Sequence, residues 1–158
     1  MKNFWKLKIR KEIYLPVLIV LLFGYTIAGF SKSVDVYHVY KVLPAFVIYT
    51  DKLDNKDSAI TKGPIVIMRP ELRDVESIRN HELVHVKQCY RCLFYHWLPM
   101  MFNDNQLAKM ESEAYAIGIT SKDNIPFWAE FIKKEYKLTI STEKIEEYIT
   151  YYWERQKH

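Results

Sequence analysis

One five-residue stretch has the residue types and the spacing for metal chemistry: His81-Glu82-Leu83-Val84-His85. On a helix, residues i and i+4 share a face about one turn apart, so the two imidazoles can bind one ion. Glu82 stands about 100° around the helix from His81, within reach of a water on that ion without being a ligand. Zinc lowers the pKa of such a water to roughly 7, and the Glu82 carboxylate can take its proton. The hydroxide then attacks a carbonyl, and protonated Glu82 serves the leaving amine. The pattern therefore predicts zinc on His81 and His85, with Glu82 as general base. Ile78, Leu83, Val84 and Val86 give the histidines apolar support.

A catalytic zinc site also needs a third protein ligand and one open position. Glu111 and Glu113 are the candidates, on the next helix. Leu107, Met110, Ala114 and Ile117 form the apolar stripe of that helix. The two glutamates flank the stripe on opposite sides at nearly equal angles, so helix geometry leaves both open. Glu113 has a further reading as a surface residue paired with Lys109 at i−4.

Several elements must position these groups. Gly63-Pro64 and Arg69-Pro70 bracket a β-branched run at 65–68 that reads as a short strand. Asp74 is the expected N-cap of a long helix over 75–97, ended by Pro99, which carries both histidines. Asp104 or Asn105 caps a second helix over 106–117, with Gly118 as its stop. Asp123 or Asn124 precedes Pro126 and a third helix to 136, and Ser141 or Thr142 starts a fourth to 155. Residues 31–62 are mixed, with apolar stretches at 34–42 and 46–49 and a polar loop over 51–62. The expected class is α+β, mostly helical with a small sheet.

Length and composition set the bounds. A chain of 158 residues, 49% apolar and 15% aromatic, supports one modest domain with a core and excludes disordered and low-complexity classes. The net charge of +4 is local. Residues 1–12 hold five of the 23 basic side chains and one of the 19 acidic, so the remainder is balanced. Residues 13–30 carry no charge, and 18 residues make about 27 Å of helix, just enough to cross a bilayer core. Cations before that run predict a single-pass anchor with the N-terminus cytoplasmic and the C-terminal domain outside. A cleaved signal fits less well, because the run is long and Ile27-Ala28-Gly29-Phe30 is a poor cleavage site. The expected organisation is a basic segment 1–12, a transmembrane anchor 13–30 and a metal-binding domain 31–158. A balanced body without a basic-aromatic signature argues against a nucleic-acid partner.

With these residues in hand, the chain resembles the gluzincin-type zinc metallopeptidases, in which HExxH is followed by a Glu ligand on a later helix. It is more closely similar to small bacterial and phage HExxH proteins that read strand, Arg-Pro-x, a helix with HExxHxxQ, then ExEAY. The matching segments here run from Gly63-Pro64 and Arg69-Pro70 through His81 to Gln88, and on to Glu111-Ser112-Glu113-Ala114-Tyr115. They span about 55 residues, roughly a third of the chain. The resemblance implies a zincin-like fold, a zinc ion and a peptide or protein substrate. It favours Glu111 over Glu113 as third ligand through the ExEAY alignment, although each has an alanine three residues on. The family often places Asp or Asn four residues after the ligand Glu to orient a metal-bound His, and here Tyr115 stands there. The resemblance also implies an edge strand beside the active-site helix, at 65–68, on which substrate backbone pairs. Two rival readings use the same residues: a non-catalytic membrane or phage envelope module, and a hydrolase of another amide such as a cell-wall peptide bond.

Weaker features remain. Cys89, Cys92 and His96 share roughly one helix face with His85, and read first as packing residues, then as a redox pair or a second metal site. The apolar and aromatic stretch 92–102 is too short to span a bilayer and reads as a core connection or a membrane-surface segment. Tyr148, Tyr151, Tyr152 and Trp153 read as packing of the last helix.

Overall fold

The computed structural model describes residues 33–54, 57–91 and 103–156. The basic segment, the expected anchor at 13–30 and the stretch 92–102 with Cys92 and His96 lie outside them. Among the described residues no helix is long and apolar enough to cross a membrane.

The first half of the described chain is a four-stranded mixed sheet. Strands β1 (Val34–Val39) and β2 (Leu43–Tyr49) form an antiparallel hairpin. Its turn places Tyr40 and Lys41 at φ 49° and 66°, a left-handed conformation that non-glycine residues adopt only at a cost. Strands β3 (Ala59–Lys62) and β4 (Ile65–Met68) form a second hairpin. Gly63, at φ 65°, supplies the positive φ that a two-residue loop requires. β4 pairs in parallel with β2, giving the order β1-β2-β4-β3.

That order corrects the expected position of the edge strand. The run at 65–68 is an interior strand, and β3 is the edge strand on that side, with β1 at the opposite edge. The expectation came from the family resemblance, and the strand that lies outside 65–68 was missed because Ala59-Ile60-Thr61-Lys62 falls within what reads as a polar loop.

A short 3₁₀ turn (Pro70–Leu72) leads into helix α1 (Glu76–Arg91). The carbonyl of Val75 accepts from the amide of Arg79, so the cap is Val75 and not Asp74. Helix α2 (Asp104–Ala116) is capped by Asn103, whose side chain accepts from the amides of Asn105 and Gln106. Asp104, the expected cap, instead accepts from the amide and hydroxyl of Thr139. Helix α3 (Ile125–Glu135) follows a 3₁₀ turn capped by Ser121, and has proline in its first turn as expected. Helix α4 (Thr142–Arg155) is capped by Ser141.

Two apolar clusters form the interior. One joins Val47, Val66 and Met68 of the sheet to Val86 of α1, with Ile78, Leu83 and Tyr90 packed on it. The other joins α2, α3 and α4 through Ala108, Ala129, Ile132, Ile145 and Ile149. Helix α1 has the sheet on one side and α2 on another, so the candidate metal residues lie at the seam between the clusters.

Candidate metal centre

The helical spacing of His81 and His85 brings their Nε2 atoms to 3.1 Å from each other. From α2, Oε2 of Glu111 approaches to 3.6 Å of each nitrogen. The three side chains are 16%, 12% and 5% exposed, in that order. Points at these separations lie on a circle of radius about 2.0 Å, the length of a zinc–imidazole or zinc–carboxylate bond. These ligand atoms form one group able to hold a metal ion. Oε2 of Glu111 is buried without a hydrogen-bond partner, which costs about 1–3 kcal/mol when nothing else satisfies it. A cation held by the three would satisfy that oxygen and both nitrogens together.

The electrostatics agree with the geometry. Burial pushes the His81 pKa down, and the neighbouring His85 pushes it further. Burial also opposes charge on His85, but the facing Glu111 outweighs it and the net shift is upward. Glu111 is held below the usual carboxylate range because the two imidazoles outweigh its own burial. The three groups titrate as a unit. Together they favour one protonated imidazole facing an ionised Glu111, while resisting protonation of both rings.

Surrounding side chains fix the donors. Nδ1 of His85 donates to Oε1 of Gln88 at 2.9 Å, which leaves Nε2 with its lone pair toward the centre. Gln88 in turn donates through Nε2 to the Met110 carbonyl and to Oε2 of Glu113, each at 3.0 Å. Arg91 donates to the other oxygen of Glu113 at 2.7 Å. Glu113 is therefore the anchor of an orienting chain and not a member of the ligand group. Its expected surface partner is also corrected: Lys109 lies over the Tyr148 ring instead. Tyr136 lies near enough to Glu111 to help hold that carboxylate's pKa down, and the Tyr115 ring packs edge-on against His81, centroids 4.5 Å apart.

Glu82 lines the same cleft as His81. It is buried, and its Oε2 accepts from the Thr61 hydroxyl on edge strand β3 at 2.6 Å. Burial raises its pKa above the usual carboxylate value, which strengthens it as a base. Glu82 and His81 line a cleft of about 430 Å³ between β3 and α3.

The residues read from sequence as His81, Glu82, His85 and Glu111 are thus brought together, and Cys89 is not among them. Cys89 is fully buried in α1. Sequence reasoning assigned no role to Gln88, Thr61 or Tyr136. Gln88 carried a signal, since it stands three residues after His85 and so shares its face. Thr61 and Tyr136 are 20 and 51 residues from the nearer histidine and carried none. No protein-family model, curated protein or solved structure matches this chain.

Proposed function

We propose that this protein is a zinc-dependent metallopeptidase with a zincin-like fold, tethered to a membrane by residues 13–30 with the metal domain outside. The observation that carries the reading is the grouping of His81, His85 and Glu111 ligand atoms, with His81 and a separately held carboxylate, Glu82, lining one open cleft. His81, His85 and Glu111 would hold the ion, and three protein ligands leave a position free for substrate or water, as in catalytic sites. Zinc supplies Lewis acidity there, polarising a peptide carbonyl and lowering the pKa of water toward neutrality.

The protein's own groups do the rest. Glu82 would accept a proton and return it to the departing amine. Thr61 holds that carboxylate at Oε2 beside the cleft. Edge strand β3 offers unpaired backbone groups along the cleft, on which an extended peptide can pair. The membrane tether rests on the uncharged 13–30 run and the five cations before it.

Glu82→Gln tests the reading, because it keeps the shape and the metal ligands but removes the base. Zinc content measured by atomic absorption should stay near one per chain, and peptide hydrolysis should fall by at least about a hundredfold. A zinc-loaded parent that hydrolyses no member of a broad peptide library would instead favour the non-catalytic module.

A further inference from the structure

The cleft has two chemically different sides. Along α3, ring contacts lead outward from His81: Tyr115 lies 4.5 Å from it, Trp128 5.2 Å from Tyr115, and Phe131 5.6 Å from Trp128. Phe131 is 37% exposed, a large apolar surface to leave open beside a polar centre. Carboxylates stand at the mouth, Asp57 just before β3 and Glu135 at the end of α3, and no Lys or Arg is among the described residues that line the cleft.

Charge complementarity narrows the occupant. A divalent ion would offset Glu82 and Glu111, and neither the Asp57 nor the Glu135 carboxylate has an ion-pair partner among the described residues, although Arg69 donates to the Asp57 backbone carbonyl and Lys133 and Lys134 share the last turn with Glu135. Glu135 sits in the last turn of α3, where the helix dipole disfavours a negative charge. Helix stability therefore does not account for it. An aromatic wall with carboxylates at its mouth fits a long side chain with an apolar stem and a positive end, through cation–π contact and ion pairing.

We propose that this cleft is the specificity subsite of the peptidase and takes the Lys or Arg side chain of an extended peptide. The proposal rests on the peptidase reading above. The test uses peptides identical except for Lys, Arg, Leu, Phe or Glu at one position, with that position scanned along the chain. Cleavage by the zinc-loaded protein is read as kcat/KM, and binding to zinc-loaded Glu82→Gln is read by tryptophan fluorescence.

At one position Lys and Arg should exceed Leu and Phe by about fivefold and Glu by more than about tenfold. Glu135→Lys, an exposed change that removes no metal ligand, should keep zinc content and Tm while reducing Lys and Arg to the level of Leu. If Leu or Phe is preferred, or if the Lys preference survives both Glu135→Lys and Asp57→Asn, the subsite assignment is wrong and the peptidase reading stands. If no peptide is cleaved or bound, the peptidase reading fails and the subsite with it.

Discussion

At the scale of residues, the division between Glu111 and Glu113 is the most exposed to test. Both are two positions apart on one helix, yet one faces two imidazoles and the other faces Gln88 and Arg91. Glu111→Ala should abolish stoichiometric zinc binding, whereas Glu113→Ala should retain it with weakened affinity. Gln88→Ala should lower affinity about 10–100-fold, because His85 loses the partner that fixes its ring. Competition with a chromophoric chelator measures all three. Equal zinc affinity of Glu111→Ala and the parent would refute the ligand assignment. Glu82, His81 and His85 were legible because their chemistry is local to one helix. The third candidate ligand was not legible from helix geometry, since a stripe on α2 has two edges and the packing of α2 on α1 decides which faces the histidines. Only the ExEAY resemblance favoured Glu111, the residue that the structure groups with them.

At the scale of elements, α2 is bound on several sides and holds the third ligand through that confinement. Ser112, next to Glu111, is fully buried and its hydroxyl has no partner. Ser112→Ala removes an unsatisfied polar atom and raises helix propensity, so stability should rise by about 0.5–1.5 kcal/mol in urea unfolding. The N-terminal end of α2 is tied to the α3–α4 connection by Asp104, which accepts from the amide and hydroxyl of Thr139. Those bonds hold the Asp104 pKa below its usual value. A depressed folded-state pKa stabilises above the unfolded-state value, near 4, and the contribution is lost as pH falls through the folded-state value. The Tm of Asp104→Asn should therefore lie closer to that of the parent at low pH than at pH 7, a comparison made by calorimetry.

Element types were readable where punctuation is strong. Pro126 with Asn124, and Ser141 before a Glu- and Tyr-rich run, mark two helices that the structure has within a residue. The caps of α1 and α2 shifted by one or two residues, because a 3₁₀ turn before α1 and the Thr139 contact at α2 took the expected side chains elsewhere. Strand β3 was missed entirely. Four residues with one lysine and one threonine have no periodic signal, and they become a strand because β4 offers them a ladder.

At the scale of the whole molecule, the metal group joins the two halves of the described chain: α1, packed on the sheet, and α2, packed on α3 and α4. An ion bound there cross-links both clusters in the folded state alone, so it stabilises by mass action. Adding EDTA should lower Tm by several degrees, and zinc should restore it. Glu111→Ala should show neither response. The sequence by itself determined the α+β class, the helix that carries His81-Glu82-x-x-His85 and the concentration of net charge in residues 1–12, since these follow from local spacing and composition. Tertiary structure decided that β3 is an edge strand, that Glu111 faces the histidines while Glu113 supports them, and that Thr61 and Tyr136 belong to the site. Each of those depends on which faces of distant elements meet, and that is settled by burying two apolar clusters at once rather than by any local preference.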